Sequence, residues 1–351
     1  MKKLSVFLGV ALWAIGSAVS AQEVDSTATM QKLSWGDAKE ITDYIPDVHL
    51  DTRFGYSHDF AEGTGRFGGN GLFLDINGKI SPHFSYSLNH RLANFEGEDE
   101  PGFGNTNWLL LTYETEDFSI SAGKDAVFIG NLEYDAYDLD SYWFMNSLFW
   151  NGIDPWQWGV SAAWYPAEDQ SLSFQFCNSP FSDFNTGNLF AYALAWRGAW
   201  DCYESYWTAN LWQYDAKGYV GSINLGNRFY LGDFTIDLEY MTRGIGWKGL
   251  FSDDFTLHIA PYYEWNWGRA FAKCGWERTS RDIMGYDFTG DNIYYGAGVE
   301  FFPLKEYKDL RIHAAWGSNN NYTCSHIIEL GLTWNLNLTD TAKRIYDRLK
   351  K

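Results

Sequence analysis

Residues 71–92 read GLFLDINGKISPHFSYSLNHRL, and this stretch decides the fold class. Its large apolar side chains share one parity, with only Phe73 on the other; they are Leu72, Leu74, Ile76, Phe84, Tyr86, Leu88 and Leu92. A period of two residues is typical of a β-strand and not of a helix. We therefore predict two strands, each with one apolar face, joined by a turn at NGKISP (residues 77–82).

The same alternation recurs along the chain, for example in DVHLDTRFGY (47–56), FTIDLEYMTR (234–243) and DFTLHIAPYYEW (254–265). Counting such runs from Asp47 to Leu338 gives about sixteen strands. Odd-numbered connections are long or polar, such as HDFAEGTGRFG (58–68), and even-numbered ones are tight. This asymmetry is typical of outer-membrane barrels, with long extracellular loops and short periplasmic turns. We therefore predict an all-β fold, a transmembrane antiparallel β-barrel, whose apolar parity faces lipid and whose polar parity faces water.

Composition supports this fold class. Aromatic residues make up 19% of the chain, yet the mean hydropathy is only -0.33. A barrel in lipid combines these properties, because its apolar side chains occupy alternate positions and aromatic girdles lie at both interfaces. The net charge of -19 argues against nucleic acid as a partner. The four cysteines are widely spaced, so we expect neither a metal motif nor a disulfide.

The two ends of the chain differ from the barrel pattern. Residues 1–21 have two lysines, an apolar run and a small-residue end, which predicts a cleaved secretory signal peptide. Residues 22–45 are polar and are expected to form a periplasmic arm. The barrel is assigned to residues 46–338. The basic tail at 339–351 is compatible with a capped helix or a frayed end, and both interpretations stay open.

The third connection, residues 125–156, carries more aromatic surface than a loop in water should expose. We predict that it folds into the barrel and narrows the pore, and the alternative is a subunit contact outside the barrel. The constriction is assigned to Glu133, Tyr134, Asp135, Tyr137, Asp138, Asp140, Tyr142 and Trp143. Its carboxylates could hold a divalent cation, but they lack the spacing of a calcium-binding loop. No metal and no cofactor are predicted.

The stretch GKDAVFIGNLEYDAYDLDSYW, residues 123–143, resembles the phosphate-selective porin O and P family, in the branch common in Bacteroidota. The shared pattern is a Gly-Lys pair, an aromatic or aliphatic stretch, a glycine and an acidic-aromatic-aspartate run. Residues 54–60 and 70–92 are also similar to the early strands of that family. The resemblance covers residues 46–338. It implies a sixteen-stranded porin, often a homotrimer, that passes small solutes.

The polar parity supplies the predicted pore lining. Its basic members are Arg53, Arg91, Arg197, Arg228, Arg243, Lys273 and Arg311. Its acidic members include Asp51, Asp75, Asp237, Glu239, Glu264, Glu300 and Glu329. An anion filter needs a lining that favours negative charge, and here the acids at least match the bases. Phosphate selectivity is therefore not inherited from the resemblance, and pairing across strands would explain many of these charges equally well.

These observations together predict a porin in the outer membrane of a Gram-negative bacterium. Its partners would be membrane lipid and small hydrophilic solutes or ions, which cross by passive diffusion through a mixed-charge lumen. An enzymatic barrel, a lipid or peptide hydrolase, is the first alternative. It is not favoured, because the sequence shows no nucleophile beside a base. An adhesive or structural barrel without transport is the second alternative.

Overall fold

The computed structural model describes residues 44–93, 103–130, 132–133, 147, 153–181, 188–245, 250–279, 289–304, 308–320 and 326–349. Within these ranges the chain forms sixteen strands and a helix. The first eight strands are β1 (Asp47–Asp59), β2 (Thr64–Ser81), β3 (Phe84–Ala93), β4 (Thr106–Glu114), β5 (Phe118–Ala126), β6 (Trp156–Ala167), β7 (Gln170–Asn178) and β8 (Phe190–Trp200). The remaining elements are β9 (Tyr203–Gln213), β10 (Tyr219–Leu231), β11 (Phe234–Ile245), β12 (Asp254–Trp265), β13 (Gly268–Thr279), β14 (Gly290–Phe301), β15 (Leu310–Asn319), β16 (His326–Asn337) and the helix α1 (Leu338–Leu349).

Each strand pairs with its neighbours in sequence, and the sheet closes on itself. The closing pair is β1 with β16, antiparallel from His49 opposite Asn337 to Asp59 opposite Ile327. The predicted antiparallel barrel of about sixteen strands is therefore confirmed. Closure pairs the backbone groups that an open sheet would leave at its two edges.

The two parities of the strands face opposite sides of the wall. Outward positions keep large apolar side chains exposed, such as Val160 (49%), Leu194 (50%) and Leu330 (50%). Inward positions carry polar and charged side chains, many of them buried, including Glu239 and Glu277. An apolar exterior around a polar interior is the arrangement with which barrels cross the bacterial outer membrane.

Two boundaries differ from the sequence prediction. β2 continues through NGKIS to Ser81, so the chain reverses at Pro82 and His83 alone. Pro82 has no N–H and cannot continue the ladder, whereas the Asn-Gly pair is held in the strand by β3. The first long connection is also shorter than predicted, at residues 60–63, because the glycine-rich residues 64–69 pair with β1. Strand pairing overrides weak local β-propensity at both places.

Aromatic side chains cluster on the outer face near the short-turn end of β8 to β10. The rings of Trp200 and Tyr203 stack with centroids 5.7 Å apart, and those of Trp196 and Trp207 lie 5.0 Å apart. Asn227, on the same face, accepts hydrogen bonds from Tyr203 Oη (2.6 Å) and Trp207 Nε1 (3.2 Å). A polar amide held by amphipathic rings suits the headgroup level of a membrane.

The C-terminal residues form the helix α1, which resolves the two interpretations left open by the sequence. Asn337 caps the helix, because its Oδ1 accepts a hydrogen bond from Asp340 N (2.7 Å). Thr339 joins α1 to the start of β1: its Oγ1 donates to Pro46 O (2.8 Å) and accepts from Val48 N (3.0 Å). Among the described residues, no helix has the length and apolar character of a membrane span.

Replacing Thr339 by valine is expected to destabilise the barrel, because it leaves the buried Val48 N–H without its acceptor. Such a loss costs about 1–3 kcal/mol. Thr341→Val is the matched control, since Thr341 Oγ1 donates to Asn337 O within the same turn, and its effect should stay within about 0.5 kcal/mol. Denaturant unfolding of the barrel in detergent micelles measures both variants. Equal midpoints would show that the contact between α1 and β1 carries no stability.

Candidate functional site

Residues 127–130 and 132–133 of the third connection lie inside the barrel, and we call them the folded-in segment. Val127, Ile129 and Ile153 form a buried apolar cluster with inward side chains of the wall, among them Trp212 and Met241. Trp212, Met241 and Ile129 are almost fully buried. The connection therefore packs against the wall on the side of β7 to β11, where it replaces water with apolar contact.

Wall side chains also bind the backbone of this segment. Gln175 of β7 accepts a hydrogen bond from Phe128 N and donates one to Ala126 O, both at 2.8 Å. The carbonyl oxygen of Ile129 accepts from Thr208 Oγ1 (2.7 Å) and from Asn224 Nδ2. A segment that runs through an interior without a neighbouring strand needs such partners, because buried backbone groups must be paired. Side chains of β7, β9 and β10 supply them.

Gly130 allows the segment to lie this close to the wall. Its φ is +80°, a conformation that favours glycine, and an added Cβ would lie 2.2 Å from Thr208 Oγ1. The hydrogen bond from Thr208 to Ile129 O depends on that approach. The left-handed backbone and the close approach to Thr208 explain why a glycine follows the apolar stretch in GKDAVFIGN.

Charged residues hold the end of the segment. Glu239 Oε2 accepts a hydrogen bond from Leu132 N (3.0 Å). Glu133 accepts from Ser147 N (2.9 Å) and Ser147 Oγ (2.6 Å), and Lys273 Nζ lies 3.6 Å from Glu133 Oε1. The side chain of Glu133 is fully buried and that of Lys273 is 16% exposed. An ion pair in this environment is weakly screened by water and salt.

Of the predicted constriction residues, Glu133 is buried inside the barrel beside Lys273. Seven others lie outside the described residues: Tyr134, Asp135, Tyr137, Asp138, Asp140, Tyr142 and Trp143. Within the described part of the chain, no group of three His, Cys, Asp or Glu side chains could hold a metal ion. The carboxylates considered for a divalent cation belong to the residues outside that part.

The predicted lining charges lie on inward positions, and several form ion pairs across strands. On β10 and β11, Arg228 binds Asp237 with two hydrogen bonds of 2.7 and 2.8 Å, and Arg228 Nη1 is 3.8 Å from Glu204 Oε2. On β13 to β15, Glu300 lies between Arg269 (2.6 Å) and Arg311 (3.6 Å). These contacts follow the strand register, in which Arg228 is opposite Asp237 and Arg269 is opposite Glu300.

A further group lies on β1, β15 and β16. Arg53 Nε is 3.4 Å from Glu329 Oε1, and His313 Nε2 is 3.2 Å from the same oxygen. Asp51 is buried on the same inward face of β1. Acids and bases are thus interspersed over this wall as well.

The other lining charges have individual surroundings. Asp75 Oδ1 accepts a hydrogen bond from Asn77 Nδ2 (2.5 Å), and Glu264 pairs with Lys308 near the short-turn end. The guanidinium of Arg91 lies 5.1 Å from the ring centroid of Phe73. Arg243 is buried on β11. Arg197 of β8 is exposed and lies over the ring of Tyr206.

The uncharged residues that bind the folded-in segment, Gln175, Thr208 and Asn224, are not among the residues predicted from the sequence. Their parity was known, but a neutral polar side chain on the inner face is equally compatible with contact to water. A signal was present in β8, whose inward positions carry three consecutive small residues, Ala191, Ala193 and Ala195. Small side chains on a polar face indicate that another part of the chain packs there.

Comparisons with known proteins support the architecture. No family model and no curated protein matches the chain. A loop-deletion mutant of OmpT, an outer membrane protein of Vibrio cholerae, matches with a TM-score of 0.61 at 13% identity, over 84% of this chain and 100% of that chain. A triple mutant of Rhodopseudomonas blastica porin matches with a TM-score of 0.55 at 12% identity, over 83% and 100%. At such identities the likeness shows the fold alone: this chain has a barrel fold that it shares with outer-membrane porins.

Proposed function

We propose that this protein is an outer-membrane porin that lets small hydrophilic solutes and ions diffuse passively. The observation that carries the proposal is a sixteen-stranded closed barrel whose polar interior contains a segment fastened to one part of the wall, β7 to β13. A barrel of this strand number is wide enough to enclose an aqueous channel. A segment bound along one side narrows such a channel and leaves the opposite wall to line the passage.

The charge pattern supports weak ion selectivity. Arg228 lies between Asp237 and Glu204, and Glu300 lies between Arg269 and Arg311. Paired charges of both signs produce a local transverse field and little net potential for ions of one sign. We therefore propose a channel of mixed character and not a phosphate filter. Kinship with the phosphate-selective porin O and P family, and a homotrimer, are proposed on the resemblance of residues 123–143.

No covalent chemistry is part of this proposal. The inward histidines bond to groups of the wall, as His258 Nδ1 does with Tyr294 Oη (2.7 Å). These contacts link strands of the wall, β12 with β14 in this pair, and such a role needs no substrate.

Planar-bilayer recording of the purified protein tests the function. We expect discrete current steps in potassium chloride and a reversal potential close to zero across a tenfold salt gradient, because the lumen charges compensate one another. The absence of steps would overturn the pore, and a reversal potential near the chloride limit would overturn the mixed-charge lumen. A sealed liposome swelling assay with a neutral sugar provides an independent measure of solute flux.

A further inference from the structure

A cavity of about 250 Å³ lies between the folded-in segment and the inner face of β7 to β9. Its lining includes Phe128 of the folded-in segment, Asp125 near the end of β5, and Ser173, Ala195, Arg197 and Tyr206 on β7 to β9. This volume is slightly below the ~300–1,000 Å³ of pockets for drug-sized ligands. The cavity therefore suits a molecule of about one ring.

Arg197 and Tyr206 form one side of the cavity. They are directly opposite each other on β8 and β9, and the guanidinium carbon of Arg197 lies 3.6 Å from the ring centroid of Tyr206. Stacking holds the planar guanidinium in a fixed orientation while its N–H groups remain at its edge. Arg197 is exposed although it lies on the inward parity. A guanidinium presented in this way is suited to two-point binding of a carboxylate.

Apart from the carboxylate of Asp125, the other sides of the cavity are apolar or weakly polar. Phe128 packs against the buried cluster of Leu132, Ala195 and Tyr206. Ser173 and Ala195 are opposite each other on β7 and β8, and their small side chains leave room in front of the wall. Aromatic and apolar surface beside a single cation favours a ligand with a flat or apolar body and one anionic group.

Asp125 limits the charge of the ligand. It lines the same cavity, and its Oδ1 accepts a hydrogen bond from Ala126 N (2.8 Å). A carboxylate in the lining repels further negative charge, so the cavity is poorly suited to phosphate dianions and dicarboxylates.

We propose that this cavity is a binding site for small organic monocarboxylates with a ring or other apolar body. The carboxylate binds Arg197, assisted by the Ser173 hydroxyl, and the body packs against Phe128 and Tyr206. The inference rests on the proposed function in that it names a solute class for the channel, but binding itself can be measured without transport.

Benzoate is the probe for this site, with benzamide as the neutral match and acetate as the match without a ring. Added benzoate should reduce the single-channel chloride current in a saturable way, and isothermal titration with the detergent-solubilised barrel should show heat of binding with the same midpoint. Benzamide and acetate should each bind about tenfold more weakly or worse, since each lacks one of the two contacts.

Arg197→Gln should raise the benzoate midpoint about tenfold or more, because a charge-assisted hydrogen bond is lost. Arg197→Lys keeps the charge but loses the stacked, planar donor, and should give an intermediate midpoint. Arg278→Gln is the matched control: Arg278 is on the outward parity, where it pairs with Asp291 (2.8 Å), and it cannot reach the cavity. For each variant, the midpoint of the benzoate effect is determined relative to the chloride current that the same variant carries without benzoate.

The outcomes separate the two proposals. A conducting barrel with no benzoate effect in current or heat overturns the site and leaves the porin function standing. Equal midpoints for Arg197→Gln and Arg278→Gln, or equal affinity for benzamide and benzoate, also overturn it. Heat of binding that depends on Arg197, in a barrel that never conducts, supports the site and overturns the porin function.

Discussion

Replacing Lys273 by methionine is expected to release the folded-in segment and to increase channel conductance. Lys273 Nζ lies 3.6 Å from Oε1 of Glu133, whose side chain is fully buried. Glu239, also buried, interacts electrostatically with both groups and accepts the hydrogen bond from Leu132 N. Without the lysine, the buried carboxylates of Glu133 and Glu239 would face each other where the folded-in segment contacts the wall.

The expected loss of stability is about 3–5 kcal/mol, the usual effect of removing one partner from a buried ion pair. The barrel can reduce this loss by letting residues 132–133 leave the wall for water. Detachment widens the passage, so the two effects should appear together. Single-channel recording should show larger and noisier steps, and denaturant unfolding in lipid vesicles should show the lower stability.

Lys308→Met is the matched control, because Lys308 pairs with Glu264 in a setting where the two side chains are 57% and 35% exposed. An exposed pair of this kind contributes only about 0–1 kcal/mol. The double variant Lys273→Met with Glu133→Gln should regain part of the stability, since it removes one of the two carboxylates. If Lys273→Met and Lys308→Met have the same conductance and unfolding midpoint, the anchoring role of Lys273 is wrong.

The barrel could be predicted from the sequence because lipid and lumen impose opposite demands on alternate residues. In DFTLHIAPYYEW, for example, Leu257 and Ile259 face outward and His258 faces inward. The pattern was weakest where residues 64–69 pair with β1, since glycine carries no information about which face is apolar. The turn at NGKISP was misplaced for a related reason: an Asn-Gly pair favours a turn, but pairing of Gly78 with Tyr86 keeps it in the strand.

The interior could be predicted only in part. Parity places Arg228, Asp237 and Glu300 on the inner face, but the sequence does not show which of them pair, because register depends on the turns. The role of Thr208 as a donor to the backbone of the segment could not be predicted either. It depends on where residues 127–130 and 132–133 cross the lumen, and that position results from apolar packing between distant parts of the chain.

Replacing Gly123 by alanine is expected to impair folding of the barrel severely. Gly123 begins the stretch GKDAVFIGN, and its φ of +142° is a conformation that L side chains rarely adopt. An added Cβ would lie 1.9 Å from the carbonyl oxygen of Leu109 on β4. That atom belongs to backbone, and it cannot move without disturbing the pairing of β4 with β5.

Backbone strain and overpacking each cost about 1–3 kcal/mol, so the combined loss should be roughly 2–6 kcal/mol. Gly232→Ala separates the two contributions: Gly232 has φ +67°, and nothing lies within 4 Å of its added Cβ. It should lose only about 1–2 kcal/mol from the left-handed backbone. The folded fraction on an unheated gel and the denaturant midpoint measure both variants. Equal losses would mean that β4 yields to the added methyl group, and that the glycine is required for its backbone conformation and not for the close approach of two strands.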